Sequence, residues 1–257
     1  MRMGFVDIHT HILPRIDDGS RDIEMTMAML KEEQRQGAGA VVLTPHFYAD
    51  RNQVDRFLEK RKASLETLEA ALKGAMDGDA PKLFLGAEAA FFRGISKAER
   101  LPDLCIREID AEADEGIGQS TNAILIEMPF VQWTKETADE IEEIACGRRM
   151  KVVLAHIERY MKYQKDKSAW NRVMDLPIVT QINAGSFLKD MRKRRTCLKW
   201  IKAAKGSRIG SVIGSDCHNL DSRRPNMAEA REVIAKKAGN NVLDEMDRTA
   251  EQVLGIE

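Results

Sequence analysis

The chain has 257 residues, of which 43% are hydrophobic and 32% charged. That length suits one large domain with a well-buried core and is short for two. Forty Lys and Arg against 41 Asp and Glu leave a formal net charge of -1, which argues against a protein drawn electrostatically onto nucleic acid or an anionic membrane.

No apolar run reaches the ~20 residues of a membrane-spanning helix. The first eleven residues carry Arg2, Asp7 and two histidines where a secretory leader needs an apolar stretch. Cys105, Cys146, Cys197 and Cys217 are scattered, with no CxxC pair. The expectation is a soluble, cytoplasmic protein with a single domain over residues 1–257, binding neither nucleic acid nor membrane.

In chain order, Phe5 to His9 reads as a strand. A helix follows Asp18-Gly19-Ser20, with Ser20 or Asp22 able to cap it, Ile23, Met27 and Leu30 on one face, and Gly37 as its stop. Ala40 to Thr44 reads as a strand halted by Pro45, Asn52 to Ala75 as a long helix, and Lys82 to Glu88 as a third strand. Strands are expected again at Ala123 to Glu127, Lys151 to Ala155, Ile178 to Asn183 and Arg208 to Gly214. Helices are expected near 134–147, 168–174, 195–204 and 227–237. Alternating strands and helices argue for a parallel α/β protein. A barrel of roughly 250 residues fits the length, and an open doubly wound sheet is the alternative. Residues 96–122, with Pro102 and the acidic run Asp110, Glu112, Asp114 and Glu115, read as an insertion over the surface.

All five histidines, His9, His11, His46, His156 and His218, fall at or just beyond a predicted strand end. Ordinary histidines scatter over helices and loops. An HxH pair, a DxH pair and two further strand-end positions point instead to a metal site. Side chains alternate along a strand, so His9 and His11 share a face, as do Asp216 and His218. Glu88 and Glu127 also end strands, and Asp18 lies on the loop after HxH. Imidazole with carboxylate suits Zn, Mn or Fe(II) rather than Ca.

Together these motifs resemble the polymerase and histidinol phosphatase (PHP) superfamily. Asp7-Ile8-His9-Thr10-His11, Asp17-Asp18-Gly19, Thr44-Pro45-His46, Ala155-His156-Ile157-Glu158-Arg159-Tyr160 and Gly214-Ser215-Asp216-Cys217-His218 narrow the match. They resemble the bacterial manganese-dependent tyrosine-protein phosphatases of capsule and exopolysaccharide loci, from Asp7 to about Met227. The resemblance implies a distorted TIM-like (β/α)7 barrel of the PHP type. It also implies three divalent metal ions, manganese foremost, with iron or zinc as alternatives. His9, His11, Glu88 and Asp216 would hold the first, Glu88, Glu127 and His156 the second, and Asp18, His46 and His218 the third. Asp17 stays open as an alternative to Asp18. The implied activity is hydrolysis of phosphotyrosine by a metal-activated water, with Arg159 and Arg223 forked onto the phosphate. The implied partner is the phosphorylated tail of a bacterial tyrosine kinase that regulates polysaccharide synthesis.

Rival readings make different demands. A small-molecule phosphoesterase, acting on histidinol phosphate for example, would use the same metal residues. A cysteine phosphatase would use Cys217 and Arg223, spaced C-x5-R, but the intervening residues lack glycine and include Asp221. A non-enzymatic scaffold would have lost ligands, and all nine positions are filled. The basic run Lys189, Arg192, Lys193, Arg194, Arg195 and Lys199 reads as a solvated helix face, with guidance of an anionic peptide as the alternative.

Overall fold

The computed structural model describes residues 4–73, 80–109, 117–188 and 190–256. The acidic run at 110–116, Lys189 and the expected end of the second helix at Ala75 lie outside the described residues. The first strand, β1 (Phe5–Thr10), is buried along its whole length and pairs in parallel with β2 (Ala38–Leu43). Between them α1 (Ile23–Gln36) begins at Asp22, whose carboxylate accepts the Met25 N–H at 2.8 Å, and stops at Gly37 with φ 93°. Its buried face is Thr26, Met29, Leu30 and Glu33, while Ile23 and Met27 are only partly covered. Apolar spacing misplaced that face because two of its inward residues are polar.

One expected strand ends where Pro45 halts it, with a short strand beyond, and another is broken into a pair. β2 ends before Thr44-Pro45, and the chain resumes as β3 (His46–Phe47). After α2 (Val54–Leu72), β4 (Lys82–Leu85) ends at Gly86-Ala87 and resumes as β5 (Glu88–Ala90). Each break moves the chain from one sheet to another, and buried Arg61 braces the second break by donating to the Gly86 carbonyl at 2.8 Å. Beyond it, β6 (Arg107–Ile109) and β7 (Ile117–Ser120) form an antiparallel edge to the first sheet. The 96–122 stretch is therefore not wholly superficial: Leu101, Leu104, Cys105 and Ile106 are buried core residues.

The second half runs as expected through β8 (Ala123–Glu127), α3 (Lys135–Glu142), β9 (Lys151–Leu154), α4 (Ser168–Met174), β10 (Val179–Asn183), α5 (Met191–Ala204), β11 (Gly210–Gly214) and α6 (Met227–Ala238). The expectation omitted α7 (Asn240–Leu254), an amphipathic closing helix.

Among the described residues, the sheet orders are β1-β2-β4-β6-β7 and β11-β10-β9-β8-β5-β3. An isolated bridge between Thr10 and Cys217 joins the two where β1 and the chain beyond β11 meet. Alternate side chains of both sheets, including Val6, Ile8, Val42, Phe84, Leu125 and Val153, meet in one inner cluster, closed by Val253 and Leu254 of α7. The opposite faces pack beneath the helices. This is a mixed α/β fold with largely parallel sheets, and every strand-end histidine lies at the end away from α7.

Candidate metal centre

The HxH pair ends β1 with both rings buried, the two Nε2 atoms 3.1 Å apart. The break between β2 and β3 delivers His46 to the parallel position opposite Glu88 of β5. Glu88, 1% exposed, becomes the hub. Its Oε2 lies 2.8 Å from His46 Nδ1, 3.3 Å from His9 Nε2 and 3.4 Å from His11 Nε2, and its Oε1 lies 2.9 Å from His156 Nε2. Glu127, at the end of β8, approaches His156 at 3.5 Å. Asp18 Oδ1 lies 3.5 Å from both His46 and His218, and Asp216 Oδ1 lies 3.5 Å from His11 Nε2. All nine expected ligand residues thus form one continuous net.

The backbone is bent where this net closes. His156 and Asp216 have φ of 32° and 53°, left-handed values that a side-chain-bearing residue seldom adopts. Simple strand alternation therefore does not continue past β11, yet Cys217 still faces away. It is buried with Sγ 4.0 Å from Glu33, and burial pushes its thiol pKa well above the ordinary value. Gly214 permits the close approach of β11 to β1, because a Cβ there would sit 2.8 Å from that of His9.

Several atoms at the centre face one another without hydrogen-bond geometry. Glu88 Oε2, His46 Nδ1 and His218 Nε2 are buried and have no hydrogen-bond partner. Converging donor atoms that do not satisfy each other fit a divalent cation. Three overlapping groups have ligand atoms close enough to share an ion: His11, Asp18, His46 and His218; His9, His11 and Glu88; His46, Glu88 and Glu127.

Electrostatics match the crowding. Burial works against the ionised Glu88, but the charge of His9 and the close imidazoles of His11, His156 and His46 hold its pKa well below the usual carboxylate range. Asp216 is likewise held low against burial by His9 and His11. Burial opposes a charged His156, yet Glu127 and Glu88 lift it to about 9. His218 is pushed down to about 3 by burial, by His11 and by Arg223.

Residues behind the expected ligands hold them in place, and of these Gln181 and Asn183 lie in no recognised motif. Gln181 Oε1 is 3.1 Å from His9 Nδ1 and accepts the His156 N–H at 2.7 Å. Its amide donates to Asn183 Oδ1, and Asn183 donates in turn to Asp216 Oδ2 at 2.6 Å. Asp7 Oδ1 accepts the N–H groups of His9 and Ser215, tying β1 to the Asp216 loop. The Tyr160 hydroxyl is 3.0 Å from His156 Nδ1. Asp17 turns away from the third group and pairs with His11 Nδ1 at 2.7 Å, leaving Asp18 beside His46 and His218. Such partners fix the ring and tautomer of a ligating imidazole.

Arg159 and Arg223 flank the net, each donating to Asp216, at 2.7 and 2.8 Å. Both also line an open cavity of about 740 Å³ beside it, together with Phe130, whose ring stacks 5.9 Å from that of His156.

Comparison with known proteins identifies the family. The sequence profile described as capsular polysaccharide synthesis, CpsB/CapC, matches residues 5–254. The chain belongs to the CpsB/CapC family. Members similar to it include the tyrosine-protein phosphatase CpsB of Streptococcus pneumoniae, 28% identical over 91% of each chain. The tyrosine-protein phosphatase YwqE of Bacillus subtilis is 26% identical over 97% of this chain and 91% of its own. A solved structure, from crystals of YwqE and CpsB described as metal-dependent tyrosine phosphatases, superposes with a TM-score of 0.75 at 22% identity. It covers 98% of this chain and 95% of that one. CpsB/CapC membership therefore rests on nearly the full chain.

Proposed function

We propose that the chain is a metal-dependent protein-tyrosine phosphatase. The observation that carries this reading is the net around Glu88, where four histidines approach one carboxylate within 3.4 Å. The two sheets and their shared inner cluster support reading them as one distorted seven-stranded (β/α)7 barrel of the PHP type, a single domain with its site on the rim. In this reading His9, His11, Glu88 and Asp216 hold one cation, Glu88, Glu127 and His156 a second, and Asp18, His46 and His218 a third. Manganese is the metal proposed, with iron or zinc as the alternatives.

Divalent ions in such a site neutralise phosphate charge and lower the pKa of a water molecule. The remaining work falls to the chain. Arg159 and Arg223 present planar guanidinium groups between Asp216 and the open cavity, where they orient phosphate oxygens. Phe130, 39% exposed at the mouth, offers a face for the phenyl ring of phosphotyrosine. No helix among the described residues is long and apolar enough to cross a membrane. The proposed setting is the cytoplasm, and the proposed substrate is the phosphorylated tail of a tyrosine kinase that controls capsule or exopolysaccharide synthesis.

Hydrolysis of phosphotyrosine peptides and histidinol phosphate, before and after chelation, tests the reading. Phosphotyrosine should be the better substrate, with activity lost on chelation and regained with manganese. Preference for histidinol phosphate would leave only a metallophosphoesterase.

A further inference from the structure

The cavity beside the metal centre is larger than one phosphate requires, and its far wall is cationic. Arg159 and Arg223 stand at the inner end, bonded to Asp216. The outer wall brings Lys162 together with Arg192 and Lys193 of α5. All three side chains are exposed, and none makes an ion pair with a carboxylate among the described residues. The nearest acid to the α5 pair, Asp190, caps the helix by accepting the N–H groups of these same two residues. Of the acids in the cavity, Asp216 is engaged by the two arginines, and Glu158 accepts the Ser186 hydroxyl at 2.7 Å through Oε1 while its Oε2 is buried.

The basic run thus separates into distinct jobs. Arg194 braces the preceding turn, donating to the carbonyls of Phe187 and Leu188. Arg192 and Lys193 brace nothing. They also sit in the first turn of α5, which holds no acidic residue, where the helix dipole disfavours cations. Packing does not account for them, and Asp190 attracts both only from the helix cap, whereas an anion in the cavity would meet their charge directly.

We propose that Lys162, Arg192 and Lys193 form a second anion subsite. It takes a phosphate or carboxylate on the same substrate chain as the scissile phosphotyrosine, a few residues away. This rests on the phosphatase reading above and adds a substrate class to it: peptides that carry a second negative group near the target tyrosine.

The test compares kcat/KM of the metal-loaded protein on three peptides that share one phosphotyrosine. Their neighbouring position carries a second phosphotyrosine, a glutamate or a glutamine. Free phosphotyrosine gauges the reaction centre separately, so its failure to react would overturn the phosphatase reading itself. The doubly charged peptides should be preferred over the glutamine peptide by about tenfold, chiefly through KM, with the preference falling as salt rises. A preference confined to the second phosphotyrosine would identify the ligand as phosphate, and one shared by glutamate would extend it to carboxylates. Arg192→Glu with Lys193→Glu should erase or invert the ratio, and Lys162→Glu should reduce it. Equal rates on all three peptides, or a ratio unchanged in both variants, would overturn the subsite.

Discussion

The two sides of the rim are built differently. On the β1 and β11 side, each buried proposed ligand has a partner behind it: Asp7 and Gln181 for His9, Asp17 for His11, Asn183 for Asp216. On the α5 side, Lys162, Arg192 and Lys193 project from exposed positions without a carboxylate ion pair, Lys162 resting over the Tyr163 ring at 4.8 Å. The first side can fix several charges within a fraction of an ångström. The second can only attract. A phosphatase that must place one phosphate accurately, yet accept varied sequences around it, needs both kinds of surface.

Glu88→Gln breaks the rigid side at its hub and should have the largest effect. Removing one carboxylate charge that four imidazoles approach should cost at least the roughly 10²–10³-fold typical of one preorganised electrostatic group. Metal content by mass spectrometry should fall with the activity. Manganese should restore a chelated native sample but not the variant.

Arg159→Ala and Arg223→Ala test the boundary between the two sides. Each should lower kcat/KM by about 10²-fold while metal content persists, and Lys should recover only part of the loss because it lacks the planar fork. Loss of metal together with activity would reassign them as supports for Asp216.

Most of this candidate centre is legible in the sequence because the proposed ligands are rare residue types at fixed strand ends. His9, His11, Glu88, Glu127, His156, Asp216 and His218 could be placed from strand pattern alone, and β8 and α4 match their expected bounds. The strand stop at Pro45 was legible, but the break after Leu85 was not, since a continuous apolar run hides a change of sheet. The supporting amides were missed for a related reason. Gln181 and Asn183 read as ordinary strand residues, although two amides at period two in a buried strand are themselves a signal. The face of α1 was rotated by buried Thr26 and Glu33, which hydrophobic spacing treats as exposed. The closing helix α7 was overlooked, although its apolar residues lie on one face.

Gln181→Leu asks how much the rigid side depends on its backing. The loss of the His9 Nδ1 partner should weaken metal affinity by about 10–100-fold, read by competition with a chelating dye. Gln181→Glu keeps an acceptor for the ring and should recover part of it. Unchanged affinity in both would show that β1 alone orients His9.

Metal binding should also depend on pH. With its pKa raised to about 9, His156 carries a proton at pH 7 in the metal-free protein, and that proton must leave before Nε2 can ligate. Affinity should therefore rise from pH 6 to pH 9, by up to about tenfold per unit for each competing proton. Calorimetry in buffers of different ionisation enthalpy should detect proton release at pH 7.

The smallest effect should come from Cys217→Ala, and its smallness is informative. Cys217 lies between two proposed ligands, Asp216 and His218, and six residues before Arg223, so a thiol mechanism would make it indispensable. In the structure it is fully buried, turned toward Glu33 rather than the cavity, with a thiol pKa driven upward by burial and by the charges of Glu33 and Asp7. A thiol so placed is neither ionised nor able to reach phosphorus. The substitution should leave phosphotyrosine turnover within about twofold of native while costing on the order of 1 kcal/mol of stability through lost packing, visible as a lower Tm. Iodoacetamide should label exposed Cys146 in the native protein and spare Cys217. A Cys217→Ala protein that binds metal normally but no longer turns over would make the buried side of the rim, not its open face, the seat of the nucleophile.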